Sequence, residues 1–111
     1  MTKVRISEDA FADLNEGFLF YESQELGLGD YFVAAIRADI EGLKITAGVH
    51  RIAYRDFHRL VGKTFPYGVF YTFANDVADV WAVVDLRRDP SWLIEHLDDK
   101  VEQISEAQGQ G

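Results

Sequence analysis

Between Phe65 and Pro90 the chain reads FPYGVFYTFANDVADVWAVVDLRRDP, and this stretch restricts the possible folds more than any other. In a first strand, Tyr67, Val69, Tyr71 and Phe73 share one face while Phe70 and Thr72 take the other. In a second, Val80, Ala82, Val84 and Leu86 are expected together, with Val77, Trp81 and Val83 opposite. Alternation with period two, rich in aromatic and β-branched side chains, is the pattern of a half-buried strand. Asn75-Asp76 between the runs tolerates the positive φ angles of a tight turn. The stretch predicts a β-hairpin whose second strand delivers Arg87 and Arg88 to one edge of a sheet.

The flanking segments supply what such a hairpin must pack against. Lys3-Val4-Arg5-Ile6 alternates as a short strand. Ser7 follows as an N-cap, its hydroxyl free to accept a first-turn amide, and Glu8 and Asp9 complement the helix dipole. Phe11, Leu14, Phe18 and Tyr21 recur at helical spacing, which predicts an amphipathic helix from Glu8 to about Gln24. Leu26-Gly27-Leu28-Gly29 stops it, one of the glycines taking the left-handed conformation. Asp30 is expected to cap a second helix to about Ile45, with Phe32, Ile36, Ile40 and Leu43 on its buried stripe, antiparallel to the first. Residues 46–56 show no period and read as a loop into a strand near Phe57–Lys63, where Gly62 marks a bulge. Asp89-Pro90 opens a last helix carrying Leu93, Leu97, Val101 and Ile104 on one side and Glu95, Asp98, Asp99, Glu102 and Glu106 on the other. The order β-α-α-β-β-β-α specifies an α+β fold, a helical hairpin packed on a small antiparallel sheet of four strands. Residues 1–106 form one domain, and 107–111 are expected to be a disordered tail.

At 111 residues and 48% hydrophobic, the chain suits a single core. It lacks a run of about 18 apolar residues, so no membrane span is expected. Met1 leads straight into the charged strand with no signal peptide, and with no cysteine the composition fits a cytoplasmic protein. The net charge of −8 is unevenly spread: −5 over residues 1–49, +2 over 50–88 and −5 over 89–111. Overall acidity argues against nonspecific nucleic-acid binding. A basic island still acts locally, because screening confines charges to roughly 8 Å at physiological salt.

That island holds the candidate site. His50, Arg51, Arg55, His58, Arg59 and Lys63 crowd together with Asp56 alone against them. On a strand from Phe57 to Lys63, Arg59 and Lys63 would be same-side neighbours, and Arg87 and Arg88 would complete a cationic patch. Guanidinium forks suit phosphate, RNA or an acidic protein partner. The same charges also suit an edge strand protected from aggregation and paired with the acidic helices. Tyr67 joins the set as a base contact or proton donor, or as core packing. His50, His58 and His96 are not spaced as metal ligands, and no phosphate loop or nucleophile elbow is present, so neither metal nor cofactor is expected.

Taken together, the pattern resembles the RelE/ParE toxin superfamily, on its ParE-like side, the toxins of plasmid stabilisation systems. The matching pieces run from Val4 to Trp92. They are Ala10-x-x-Asp13-Leu14, Phe20-Tyr21-Glu22, Gly27-Leu28-Gly29 with Phe32, Arg59-x-x-x-Lys63, Phe65-Pro66-Tyr67, Phe70-Tyr71, Val80-x-Ala82-Val83 and Arg87-Arg88-Asp89-Pro90. The resemblance implies a growth-inhibiting toxin of a type II toxin–antitoxin system, neutralised by a cognate antitoxin. RelE-like members cut mRNA on the ribosome with lysines and arginines; ParE-like members lack that set, and some bind DNA gyrase. Here the RelE-type arginine falls on Gly68 and no tyrosine follows Arg88, which leaves Arg59 and Lys63 as catalytic candidates. Stabilising pentavalent phosphate without that arginine lacks a principal contributor. The reading is therefore a toxin acting by binding through Arg59, Lys63, Tyr67, Arg87 and Arg88, with DNA gyrase the model target. A ribosome-dependent mRNA endonuclease and a degenerate, non-toxic binding module remain alternatives. The net acidity departs from the basic character of these toxins; one arrangement that would reconcile it folds the acidic C-terminal helix back over the patch. A free sheet edge or the apolar helix faces leave homodimerisation open.

Overall fold

A computed structural model describes residues 2–109, with side chains described through Ile104. The elements are β1 (Lys3–Ile6), α1 (Glu8–Gln24), α2 (Leu28–Glu41), the single turn α3 (Leu43–Thr46), β2 (Ile52–Tyr54), β3 (Phe57–Val61), β4 (Tyr67–Ala74), β5 (Val77–Asp85) and α4 (Pro90–Gly109). Of the expected tail, 110–111 lie outside the described residues, and the α4 backbone runs past the boundary expected at 106.

The fold is α+β, with one sheet of five strands in the order β1-β5-β4-β3-β2. Two features enlarge on the sequence expectation of four antiparallel strands. Ile52-Ala53-Tyr54, read as loop, pairs antiparallel with β3; three residues are too few for alternation to show. β1 lies parallel to β5, Val4 opposite Ala78 and Ile6 opposite Val80. No tight turn joins these two strands, so the antiparallel rule for hairpins does not govern them.

The helix ends follow side-chain chemistry. The Ser7 hydroxyl accepts the Ala10 amide at 3.1 Å. α2 starts at Leu28 rather than at an Asp30 cap, with Gly27 at φ 90° immediately before it. Its free amides are met from the preceding helix: a Glu22 carboxylate accepts from Gly27 N–H at 3.0 Å and from Gly29 N–H at 3.0 Å. An anion at a helix N-terminus satisfies both the orphan donors and the dipole. At the other end Asp89 Oδ1 accepts the Ser91 amide at 2.8 Å, with Pro90 in the first turn of α4.

The sheet separates two apolar clusters. On one face α1 and α2 bring Leu14, Tyr21, Phe32, Ile36 and Ile40 against Val69, Tyr71 and Val80. On the other, Leu97, with Trp92, Leu93, Val101 and Ile104, places α4 over Phe57, Phe70, Ala82 and Val84. One expectation fails here. Val80 belongs to the first cluster while Ala82 and Val84 belong to the second, so they do not share a face. The register explains it: Phe70 pairs with Ala82 but Tyr71 pairs with Val80, leaving Trp81 as an inserted residue. A bulge of this kind reverses the side-chain alternation beyond it. The Trp81 indole donates to Thr72 Oγ1 at 2.9 Å.

Two of the three histidines are structural. Tyr71, fully buried, accepts the Gly48 amide at 3.0 Å and lies 2.6 Å from His50 Nδ1. The short contact gives both the buried hydroxyl and the His50 ring nitrogen a hydrogen-bond partner. His58 stacks on Tyr71 at 5.0 Å and donates from Nδ1 to the His50 carbonyl at 2.7 Å. Desolvation, with a smaller contribution from His58, holds the His50 imidazole below its usual range. Between that depressed value and about 6.5, the unfolded chain binds the proton more readily, so stability falls as pH drops through this window and levels off below it. The depressed carboxyls of Asp9, Asp85 and Asp89 withdraw their support only below about pH 4, which leaves the histidine window clear. Thermal melts from neutral pH to pH 5 should show a decline that is shallower in His50→Gln; equal declines would remove His50 as the cause.

Candidate functional site

The structure divides the basic residues singled out above. β3 stops at Val61, and the Gly62 amide turns onto the Tyr67 carbonyl at 2.8 Å, so Lys63 leaves the strand and is not a same-face neighbour of Arg59. Lys63 is exposed, its backbone amide donating to Asp39 at 3.3 Å. Arg59, half-buried, lies opposite Phe70, on the face that carries Phe57. From the Phe70 row to the Tyr67 row is about 10 Å along β4, three residues at about 3.3 Å each. Val61 pairs with Gly68 and Tyr67 with Asp85, so Lys63 and Arg87-Arg88 emerge at the same end of the sheet from strands flanking β4.

Arg87, Arg88 and Tyr67 do come together. They line a cleft of about 290 Å³ between α1 and β5, with Asp13, Glu16, Phe20, Asp85 and Trp92. Its floor is set by the end of β1. Beyond the Ile6–Val80 pair the edge of β5 that β1 covered is left without a strand, and Asp13 satisfies it by accepting the Val83 amide at 2.9 Å, while β4 continues on the other side. His96 Nε2 approaches the same carboxylate at 3.3 Å, and Lys100, almost completely buried, reaches Asp9 at 3.1 Å. These contacts fasten α4 to α1 beside the cleft.

Each basic group in the cleft already has a partner. Arg87 grips Asp85 with both arms, Nε to Oδ1 at 2.9 Å and a terminal nitrogen to Oδ2 at 2.8 Å. That hydrogen bond and the opposite charges raise the Arg87 pKa and hold the Asp85 carboxyl below the usual carboxylate range. The Arg88 guanidinium lies 4.1 Å above the Trp92 ring, and Trp92 stacks in turn on His96 at 4.8 Å. Tyr67 is 7% exposed, inside the aromatic cluster of Tyr21, Phe32 and Phe65. Burial first, then the Tyr21 phenol and the Asp85 carboxylate, push its hydroxyl up to about 12. A phenol so placed is a poor proton carrier near neutral pH.

Gly68 acquires a physical meaning. A Cβ there would stand 2.8 Å from Leu86 Cδ2 and 3.0 Å from Phe70 Cε2, so any side chain requires the packing of the second cluster to move. The acidic face of α4 reaches the basic patch only at Arg55 among the described residues. Asp98 accepts from the Tyr54 hydroxyl at 2.7 Å and from Arg55 Nε at 3.2 Å, while among the described residues no α4 carboxylate pairs with Arg59, Lys63, Arg87 or Arg88. Removal of residues 95–111 would strip Leu97 and Lys100 from the interior, so such a truncation would report on folding rather than on shielding.

The sequence reading missed Asp85, Asp13 and Glu16 as members of the site. Asp85 and Arg87 stand two apart at a strand end, a spacing that puts both on one side, and Asp13 is a carboxylate between the core positions Ala10, Leu14 and Gly17 of α1. Among the described residues no cluster of three or more His, Asp or Glu side chains is placed to hold a metal ion, and no helix is long and apolar enough to cross a membrane.

A helical hairpin on one face of a mixed sheet, with a cleft holding Arg87 and Arg88 at the end of the last strand, is compatible with a ParE/RelE-like fold. Among solved structures the chain matches one from the chromosomal ParDE TA system of P. aeruginosa, with a TM-score of 0.67 and 14% identity, over 98% of that chain and 78% of this one. At that identity the likeness is one of fold: the chain has the ParE-like toxin fold. No family model and no curated protein matches the sequence.

Proposed function

We propose that the chain is the toxin of a type II toxin–antitoxin pair, ParE-like, acting by binding a macromolecular target and neutralised by a cognate antitoxin. The observation that carries this reading is the superposition on the ParDE chain over nearly its whole length. Lys63, Arg87 and Arg88, at one end of the sheet, are the contact set; Arg59, farther along β3, is a separate contact, and Tyr67 supports the cleft from within. DNA gyrase is the target class carried over from the resemblance to ParE-like toxins.

Binding rather than strand cleavage is supported by two features of this end of β4. The place where an mRNA-cutting relative keeps an arginine is occupied by Gly68 and closed by Leu86 and Phe70. Tyr67, the candidate proton donor of the cleft named from the sequence, is buried with its hydroxyl pushed up to about 12. Neither arrangement suits stabilisation of a pentavalent phosphate or transfer of the 2′-hydroxyl proton. Induced expression in a bacterial host, with plasmid supercoiling and mRNA integrity followed in parallel, tests the reading. Loss of supercoiling with intact mRNA is the expected result. Codon-register mRNA cleavage abolished by Arg59→Ala or Lys63→Ala would replace it with the nuclease, and no effect on the host would favour a non-toxic binding module.

A further inference from the structure

We propose that Asp85 is a built-in occupant of the side-on edge of the Arg87 fork, its carboxylate sitting where a phosphate would sit and, with the other carboxylates of the cleft, disfavouring nucleic acid at this end. Closure of the fork deepens the reading of a protein-binding chain, and rests on it for the choice of partner alone.

The two donors that Asp85 engages, Nε and one terminal nitrogen at 2.9 and 2.8 Å, form the side-on edge of the guanidinium, one of the two edges by which a phosphate diester is held bidentately. Asp85 is also held by the chain itself, because Oδ1 accepts the Arg87 backbone amide at 2.9 Å. An incoming phosphate must displace two hydrogen bonds to take that edge, while the third keeps the carboxylate in place beside it. The exposure is lopsided in a telling way: the Asp85 side chain is 20% exposed and Arg87 60%, so the acid is the anchored partner and the arginine is drawn onto it. The carboxyl is depressed by the same pair and stays ionised across the physiological range. A phosphate that entered beside it would also face Asp13 and Glu16, which line the cleft. Three carboxylates against two guanidiniums make this a poor seat for a nucleic-acid backbone. Arg88 differs. It lies flat on Trp92 with no ion pair among the described residues, and its in-plane donors stay available to a carboxylate of a protein partner.

Fluorescence anisotropy with labelled oligouridine and the full chain tests the closure. Asp85→Asn should bind the RNA about ten-fold more tightly than wild type, the gain of one charged hydrogen-bonded contact. Glu95→Gln, which removes the same charge from an exposed site on α4, should not. The gain should vanish in Asp85→Asn/Arg87→Ala. Asp85→Ser, which also leaves an acceptor near the Arg87 amide, repeats the test should the asparagine variant fail to fold. In the unaltered protein the Arg87 Nε–H resonance should hold its position as inorganic phosphate is added. RNA binding by Asp85→Asn no tighter than by Glu95→Gln, a gain that survives Arg87→Ala, or a saturable phosphate shift of the wild-type resonance would each overturn the closure. A chain that impairs its host yet fails these tests loses the closure and keeps the toxin reading; one without effect on the host whose Asp85→Asn variant gains RNA does the reverse.

Discussion

Phe32→Ala should lower the unfolding free energy by about 3–5 kcal/mol, the range for truncating a buried phenylalanine. Phe32 is fully buried and is the side chain on which the helical hairpin closes over the sheet. Its ring stacks on Tyr21 with centroids 5.0 Å apart and meets Phe65 at 5.1 Å and Tyr67 at 4.7 Å, both edge-on. Gly17 makes the room, because a Cβ there would come within 2.4 Å of the Phe32 ring. A glycine in mid-helix costs roughly 1 kcal/mol against alanine, and the close approach of α1 and α2 offsets it. Equilibrium denaturation measures the effect. A loss below about 1 kcal/mol would mean that the cluster refills the space and that Phe32 is not its keystone.

The second large effect is expected at Asp13. Asp13→Ala should cost about 2–3 kcal/mol, because it removes a charge-assisted acceptor and leaves the Val83 amide without a partner. The carboxylate is 9% exposed, and the edge it serves lies beyond the last residue of β1, so no strand can take over. His96 loses its contact in the same step, which loosens α4. Asp13→Asn keeps an oxygen for the amide and should cost visibly less. Hydrogen exchange at Val83 is the local readout: rapid exchange in the alanine variant is expected, and protection equal to wild type would show that the amide has another partner.

Local chemistry made much of the fold legible. Leu14 and Tyr21 of the first stripe and all of Phe32-Ile36-Ile40-Leu43 are buried, while Phe18 is half-buried and Phe11, at the open end of α1, is 45% exposed; Asn75 and Asp76 turn the hairpin at φ 53° and 60°, and Ser7 and Asp89 cap their helices. What could not be read depends on partners far away in sequence. The inserted Trp81 shows only once β5 is laid against β4, and the parallel pairing of β1 joins residues 74 positions apart, as in the Arg5–Asp79 bridge. The site divides along the same line. Arg87, Arg88 and Tyr67 were visible as residue types, but the aromatic cluster that buries Tyr67 is assembled from two helices and a loop. Arg59 and Lys63 looked like neighbours because alternation was carried past Val61, where the chain already turns. The Glu22 cap shows the same limit: the motif was plain, but not the bonds from Glu22 to Gly27 and Gly29.

The central claim is that this ParE-like fold is a toxin that acts through the basic end of its sheet. Growth after induced expression of the full chain, beside Arg87→Ala/Arg88→Ala at equal soluble level, tests it most directly. Arrest by the wild type that is relieved in the double variant is the predicted result; unimpeded growth with the wild type, or arrest of equal strength in both, would contradict it.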